Sequence, residues 1–175
     1  MASNSIPRGK EITQEFLKEC LHYDPETGIF TWRHRSNVSR KWNTRYAGKI
    51  AGNVLPIGHR RISINKRSYR AHVLAFLYMT GEFPKHEVDH INGIPDDNRW
   101  CNLRDGEHAL NLQNLRRPKS NNKTGFLGVT RSKKGFAAQI TLNGIYQWIG
   151  TFKTPEEAHA AYLAKKRELH EFCTI

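Results

Sequence analysis

Four polar residues between positions 89 and 111 have the types and spacing that hydrolysis of a phosphodiester requires. Asp89 stands beside His90, and asparagines follow at Asn102 and Asn111. Carboxylate and amide oxygens are ligands for a hard divalent cation, and a neutral imidazole can act as a general base toward water. The segment predicts a metal-dependent hydrolytic site. An Asn/Asp-rich calcium or turn loop without catalysis is the alternative.

The elements that would position these residues are short. A strand is predicted to end at Asp89 and His90, because the strong turn pair Asn92-Gly93 follows it. Residues 102–104 can pair back as a second strand. Residues 107–115 have helical spacing, and the apolar positions of this helix are Leu110, Leu112 and Leu115.

The charge pattern favours an anionic partner around an acidic centre. Lys and Arg outnumber Asp and Glu by 28 to 16, which indicates nucleic acid as the first candidate. Residues 1–85 carry a net charge of +9 (15 basic, 6 acidic), residues 86–114 carry −4 (2 and 6), and residues 115–175 carry +7 (11 and 4). A cation-binding centre between phosphate-binding arms has this layout. A chance fluctuation on a solvated surface is the alternative.

The segment from Asp89 to Asn111 resembles the HNH nucleases with their ββα-metal fold, and the phage-type homing endonucleases in particular. The resemblance implies Asp89 and Asn111 as metal ligands, His90 as general base, and Asn102 as a structural residue that bridges the loop and orients the imidazole. Many relatives have His where this chain has Asn111, so oxygen ligands for magnesium, or manganese, are expected here and zinc is not. His108 lies three residues before Asn111 on the same helix face and competes for that position. The interval of twenty-two residues after Asp89, as in the phage-type relatives, favours Asn111.

The first 85 residues predict a basic extension of short elements. Thr13 is a good N-cap for a first helix, and a strand is expected over 29–32. A hairpin is expected over 62–69, followed by an apolar helix from Ala71 that ends at Gly81. His72 in that helix is expected to be a packing or hydrogen-bonded histidine and not a ligand.

Residues 33–49 have little apolar periodicity and predict a basic loop that follows a phosphate backbone. A solvated loop without a partner is the alternative. The candidate phosphate contacts of this loop are Arg33, Arg35, Arg40, Lys41 and Arg45.

Residues 116–124 predict a basic linker, in which Arg116, Arg117 and Lys119 are candidate phosphate contacts. Three strands are expected next, with an Asn-Gly hairpin turn at 143–144. Thr154, Pro155 and Glu157 then predict a helix with a capping box. Its apolar stripe is expected to hold Ala158, Ala161, Tyr162, Lys165 and Leu169.

This C-terminal part resembles the Apetala-type, ethylene-response-factor DNA-binding domain, on the motifs Gly128-Val129, Ala137 to Ile140, Trp148 to Phe152 and Glu156 to Ala158. Relatives of this type lay the sheet in the major groove. Strand alternation predicts one face against the helix and one toward DNA, although Trp148 is also a candidate core residue. The face toward the helix has Val129, Ala138, Ile140 and Ile149. The opposite face has Thr130, Ser132, Gln139, Thr141, Tyr146 and Trp148. Candidate phosphate contacts near its edge are Arg131, Lys133 and Lys134.

Together these patterns predict an α+β chain with a small ββα-metal nuclease module and a three-stranded antiparallel sheet packed on one helix. The expected parts are a DNA-binding extension (1–85), a nuclease core (86–115), a linker (116–124) and a DNA-binding domain (125–175). The predicted function is a metal-dependent endonuclease that nicks or cuts double-stranded DNA as a monomer or homodimer. The alternatives are a non-catalytic DNA-binding regulator and an RNA-binding module.

No obligate protein partner is evident in the sequence. No long apolar run or signal peptide is visible, and Cys20, Cys101 and Cys173 form no zinc or disulfide pattern. The expected location is the cytoplasm of a bacterial or phage-infected cell.

Overall fold

The α+β class predicted from the sequence is confirmed by the computed structural model, which describes residues 12–142, 144–170 and 173–174. The chain divides into two compact units, residues 1–105 and residues 106–175. The four-part division expected from the sequence stays a prediction. The polar N-terminus and the Asn143 turn position lie outside the described residues. Within the described residues, no helix combines the length and apolar character needed to cross a bilayer.

The first unit consists of short helices and three small sheets. Strands β1 and β2 form an antiparallel hairpin, β3, β4 and β5 form a sheet in that order, and β6 pairs with β7. A 3-10 turn precedes β7. The elements in chain order are α1 (Gln14–Cys20), β1 (Leu21–Asp24), β2 (Ile29–Trp32), α2 (Arg40–Tyr46), β3 (Asn53–Val54), β4 (Arg60–Ile64), β5 (Arg67–Arg70), α3 (Ala71–Thr80), β6 (Glu87–His90), the 3-10 turn (Trp100–Asn102) and β7 (Leu103–Gly106).

One hydrophobic core serves both the N-terminal elements and the strands of the predicted nuclease segment. The prediction that Thr13 caps the first helix is confirmed, because Thr13 Oγ1 accepts a hydrogen bond from the Phe16 backbone N–H. Helix α3 ends at Gly81, whose φ of +86° suits glycine. Leu103 of β7 belongs to the core cluster. The other buried members are Ile12, Phe16, Leu17, Cys20, Leu21, Tyr23, Phe30, Ala51, Ile62, Ile64, Ala71, Leu74, Ala75 and Leu77.

The prediction of a loop over residues 33–49 is wrong for its second half, which forms helix α2. Ser39 caps the helix by accepting a hydrogen bond from the Trp42 backbone N–H at 3.1 Å. Trp42 and Tyr46 are one helical turn apart, with ring centroids separated by 5.1 Å. Aromatic contacts of this kind supply the local packing that hydrophobic periodicity does not reveal.

The second unit is a three-stranded antiparallel sheet covered by one long helix, with a short helical segment before it. The sheet order is β10-β9-β8, and a β-bulge separates Trp148 from Gly150. The capping box predicted at Thr154 and Glu157 is confirmed. The elements are α4 (His108–Asn111), a 3-10 turn (Leu112–Asn114), β8 (Val129–Ser132), β9 (Gly135–Leu142), β10 (Ile145–Phe152) and α5 (Pro155–Leu169).

The face of the sheet against α5 is the one that strand alternation predicts. Val129, Ala138 and Ile140 are buried there, and Ile149 packs against them. The helical segment predicted over 107–115 is present over 108–114, as α4 followed by a 3-10 turn, but its apolar residues Leu112 and Leu115 are exposed.

In α5 the buried lysine is Lys166 and not Lys165. The Lys166 ammonium donates to the Leu115 carbonyl, which gives a buried charge a polar partner. Lys165 instead pairs with Glu168 at 2.7 Å on the surface.

Candidate hydrolytic site

Strand β6 ends at His90, and the loop that follows is held closed by Asn102. The Asn102 Oδ1 accepts from the Asn92 backbone N–H at 2.9 Å, and Asn102 Nδ2 donates to Asn92 Oδ1 at 3.0 Å and to the Asp97 carbonyl at 2.7 Å. The Ile91 N–H donates to the Asn102 carbonyl at 2.9 Å. Asn102 thus ends the 3-10 turn before β7, and its side chain forms three hydrogen bonds to the loop. Its role in orienting the imidazole stays a prediction.

The imidazole of His90 is buried, with 5% of the residue exposed, and its Nε2 lies 3.3 Å from Asn98 Oδ1. The Asn98 amide is oriented, because its Nδ2 donates to the Asp96 carbonyl at 3.0 Å. Its oxygen therefore faces the ring and requires a proton on Nε2. In the neutral ring the lone pair then lies on Nδ1.

Burial is the main influence on the pKa of His90 and lowers it from its ordinary value. The hydrogen bond with Asn98 and the negative charge of Asp89 act in the opposite direction. The net effect keeps the imidazole neutral at pH 7, which is the form that a general base requires.

The carboxylate of Asp89 forms an ion pair with Arg104. Arg104 donates from Nε at 3.1 Å and from Nη2 at 2.7 Å, both to Asp89 Oδ2, and the two side chains are about four-fifths buried. Arg99 pairs with both carboxylate oxygens of Asp97, its Nε donating to Oδ1 at 2.8 Å and its Nη2 donating to Oδ2 at 2.6 Å. This pairing lowers the pKa of Asp97 to about 2.

The loop is also supported from the N-terminal hairpin. The Tyr23 hydroxyl donates to the Asn98 carbonyl at 2.7 Å, and the Trp100 N–H donates to the Pro25 carbonyl at 3.0 Å. Gly28, with a φ of +72°, lies so close to the backbone of Asn98 that a Cβ there would be 2.3 Å from the Asn98 carbonyl carbon. The tight turn between β1 and β2 therefore fixes the position of the residue that holds His90.

Two further histidines pack against His90. His72 of α3 lies at 4.9 Å and His59, just before β4, lies at 5.5 Å between ring centroids. One potential ligand atom from each of the three residues lies within 4.8 Å of the others. Burial lowers the pKa of all three rings, that of His72 to about 3.

His72 is buried, and its packing against the rings of His59 and His90 was not anticipated from the sequence. His59 was missed altogether, because nothing in its sequence neighbourhood suggests a role.

Asn111 and His108, the two candidates for the third site position, both lie on α4 in the second unit. Asn111 is half-buried, and its Nδ2 donates to the Gly106 carbonyl at 2.9 Å. His108 opens the same helix and is exposed. Asp89, His90 and Asn102 are brought together within the first unit. The role of Asn111 stays a prediction.

The candidate phosphate contacts on residues 33–49 differ in accessibility. Arg35 is half-buried, with its guanidinium carbon 4.4 Å from the centre of the Trp42 ring, and it donates to the Cys20 sulfur at 3.1 Å. These contacts make Arg35 the least accessible of the five. The exposed four are Arg33, Arg40, Lys41 and Arg45.

In the second unit the predicted DNA face of the sheet points to solvent. Trp148 is 61% exposed, so the alternative of a core tryptophan is wrong, and Tyr146 is 57% exposed. The Tyr146 hydroxyl donates to Gln139 Oε1 at 3.1 Å, and Gln139 is half-buried.

Among the candidate phosphate contacts of the second unit, Arg116 donates hydrogen bonds to Thr174, so part of the Arg116 guanidinium is already engaged. The remaining exposed candidates are Arg117, Lys119, Arg131, Lys133, Lys134 and Thr141.

A family model for HNH endonucleases matches residues 69–113 of the chain. This segment contains Asp89, His90, Asn102 and Asn111, and also His72, but it ends before the C-terminal sheet. No match was found among curated proteins or among solved structures. The family match supports an HNH endonuclease domain in this part of the chain.

Proposed function

We propose that the protein is a metal-dependent DNA endonuclease of the HNH class. The observation that carries the proposal is the buried, neutral His90 beside Asp89, inside the segment that matches HNH endonucleases. An imidazole with Nε2 fixed by Asn98 presents the lone pair of Nδ1, which a general base needs. Asn102 and the loop that it closes act as positioning groups for this ring.

In this proposal Nδ1 of His90 accepts the proton of the attacking water. Asn98 holds the ring through Nε2, so the proton transfer needs no reorientation of the imidazole. Asp89 and Asn111 are the proposed ligands of a magnesium or manganese ion, which when bound stabilises charge on the phosphate and the leaving oxygen. The partly exposed carboxylate of Asp89 suits such a hard ion, although Arg104 already shares this carboxylate.

We further propose that the exposed basic residues of the 33–49 segment and the outward sheet face of the second unit bind double-stranded DNA. The three strands and the capped helix support an Apetala-type targeting domain, and a homing-type nuclease needs such site selection. The basic side chains give affinity through phosphates, whereas the exposed Tyr146 and Trp148 on the sheet face are candidates for site choice.

The proposal is tested by replacing His90 with Ala. Loss of a general base is expected to slow cleavage by roughly 10²–10⁴-fold, while DNA affinity stays within about twofold because His90 is buried. The assay follows conversion of supercoiled plasmid to nicked or linear form with magnesium, and with EDTA as the blank. His22→Ala, an exposed histidine on β1, is the matched control and should cut at the wild-type rate. Wild-type cleavage by His90→Ala at saturating magnesium contradicts the assignment.

A DNA-binding regulator with an inactive nuclease scaffold is the second candidate, and the ion pair between Asp89 and Arg104 is the observation that favours it. The Arg104 guanidinium pairs with the carboxylate of Asp89, and its positive charge can replace that of a bound metal ion. The same plasmid assay separates the two functions. A regulator would retard DNA in a gel without producing nicks at any magnesium or manganese concentration.

A further inference from the structure

We propose that His59, His72 and His90 form a second metal site, selective for zinc or a similar borderline ion, and that a metal bound there inhibits cleavage. This site is distinct from the oxygen site expected at Asp89 and Asn111. Zinc is therefore assigned as an inhibitor and not as the catalytic cofactor.

The geometry brings three imidazoles from separate elements to one point. His59 precedes β4, His72 lies in α3 and His90 ends β6, and one potential ligand atom of each lies within 4.8 Å of the others. Tetrahedral zinc with Zn–N bonds of about 2.0–2.1 Å holds its nitrogen ligands about 3.3 Å apart. The longest spacing must therefore shorten by up to about 1.5 Å, which ring rotations can supply.

A second observation points to a missing ligand. The Nδ1 atoms of His59 and His72 are buried and have no hydrogen-bond partner among the residues that the structure describes. His72 is 5% exposed, so water does not readily solvate its ring. Buried polar atoms are normally paired, and an unpaired one calls for an explanation such as an absent ion or water. A metal ion would satisfy both nitrogens at once.

The chemistry of the donor set selects the ion. Three neutral imidazoles suit zinc, nickel and copper, whereas magnesium takes oxygen ligands. His59 is partly exposed, so an ion would reach the cluster past this residue. The positive charge of Arg70, which acts on His72, disfavours the binding of a cation. The negative charges of Asp89, Asp96 and Asp97, which act on His90, offset this repulsion.

Inhibition follows from the identity of the shared ligand. Because Asn98 fixes the proton of His90 on Nε2, a metal bound to this tautomer uses the lone pair of Nδ1. In the proposed function, this lone pair accepts the proton of the attacking water. The inhibitory effect rests on the proposed function, whereas the binding of zinc does not.

Binding is tested first, without any activity. Full-length protein freed of metal with EDTA is titrated with zinc in competition with a chromophoric chelator. We expect one zinc ion per chain on this site and at least a tenfold weaker affinity in His59→Asn, because that variant lacks one ligand. His22→Asn, exposed on β1, is the matched control and should bind as the wild type does. Equal affinities of the wild type and His59→Asn overturn the proposal.

Cobalt binding to the wild-type chain checks the ligand type without a variant. Cobalt held by nitrogen ligands gives weak visible absorption, whereas thiolate ligation adds a strong near-ultraviolet band. A spectrum without the thiolate band, and unchanged in Cys101→Ser, supports the histidine site. A strong thiolate band that Cys101→Ser removes would place the metal on the exposed Cys101 and overturn the assignment.

The inhibitory step is then tested by plasmid nicking at fixed magnesium over a zinc series. Each variant is compared with its own zinc-free rate. The zinc concentration that halves the rate should rise at least tenfold in His59→Asn and stay unchanged in His22→Asn. If zinc binds but no form cuts DNA, the proposed function fails and the metal site stands. Cleavage with equal zinc sensitivity in all forms overturns the inhibitory role.

Discussion

At the scale of single residues, the carboxylate of Asp89, a proposed metal ligand, already forms an ion pair with Arg104. Arg104 donates two hydrogen bonds to Asp89 Oδ2. A metal that uses this carboxylate therefore binds beside Arg104 or displaces it. This competition makes the magnesium requirement the most informative property of substitutions near the site.

We expect Asp89→Ala and Asn111→Ala each to raise the magnesium concentration that gives half of the maximal nicking rate, because each removes a proposed oxygen ligand. His108→Ala should change it little, since His108 is exposed at the start of α4. The measurement is the nicking rate over a magnesium series for the three variants and the wild type. A larger increase in His108→Ala than in Asn111→Ala would show that His108 is the third ligand.

The part of the site that sequence predicts is the part encoded locally. Asp89, His90 and Asn102 lie within fourteen consecutive residues, and their spacing carries the information. His59 and His72 reach His90 only because β4, α3 and β6 pack on a common core. Tertiary packing of this kind has no counterpart in spacing along the chain, so the three-histidine cluster was not predicted.

At the scale of elements, the turn between β1 and β2 is a support for the His90 loop. Gly28→Ala is expected to destabilise the first unit by more than Gly48→Ala does. Both glycines have positive φ, which costs an alanine about 1–2 kcal/mol. Only at Gly28 does the added Cβ overlap the backbone of Asn98 and Arg99, whereas nothing lies within 4 Å of it at Gly48.

The two glycine variants are compared by urea unfolding and by plasmid nicking. The Gly28→Ala variant should also nick more slowly, because a displaced Asn98 misorients His90. Equal reductions of stability in the two variants, with equal nicking rates, would mean that the turn does not support the site.

Lys166 of α5 and His170, the residue that follows the helix, are both buried and titratable. Burial lowers the pKa of His170, and the charge of Lys166 acts in the same direction, while the hydrogen bond to the Thr141 carbonyl opposes them. A histidine with a lowered folded pKa gives stability that is complete above its unfolded pKa of about 6.5 and is lost as the pH falls.

We therefore expect the wild type to lose more protection of its α5 amides between pH 7.5 and pH 5 than His170→Gln does. One proton limits the difference to about 1.4 kcal/mol per pH unit. Hydrogen exchange, corrected for the intrinsic effect of pH, gives the free energy of opening of this helix in each form. An equal loss of protection in the wild type and in His170→Gln would show that other groups cause the acid sensitivity of α5.

The elements that sequence predicted are those with strong local signals, such as the Thr154 capping box of α5 and the Gly81 end of α3. Helix α2 was missed because its contacts are aromatic and cationic, with Arg35 against Trp42, and not periodic in hydrophobicity. Lys166 was not expected to be buried, since a lysine is rarely buried without a partner. Its partner, the carbonyl of Leu115, lies 51 residues away in the chain.

At the scale of the whole molecule, the segment that bears Asn111 belongs to the second compact unit. Lys166 donates to the Leu115 carbonyl, and Thr174 Oγ1 donates to Asn114 Oδ1 at 2.6 Å. A truncation that removes the C-terminal sheet and α5 would therefore also remove the partners of the residues after Asn111. Loss of cleavage in such a truncated form would say nothing about DNA targeting, so substitutions on the sheet face are the better test.

We expect Trp148→Ala to relax the choice of cleavage site while the magnesium-dependent rate on random DNA stays within about twofold. Trp148 is exposed on the face away from α5, so its removal leaves the core of the sheet intact, and a well-made interaction with a base is worth roughly 1–3 kcal/mol of discrimination. Ile145→Ala, which is 67% exposed on the same strand, is the matched control and should cut as the wild type does.

The Lys133→Ala and Lys134→Ala double variant should behave in the opposite way to Trp148→Ala, because phosphate contacts carry no sequence information. Its affinity should fall evenly across sequences, and its salt dependence should weaken by about one unit of slope for each lysine that binds a phosphate in the wild type. Cleavage mapping on a long DNA across a salt series measures both properties for all three variants. If Trp148→Ala keeps the wild-type sites and the double variant keeps the wild-type salt slope, the sheet does not bind DNA and the second unit has another role.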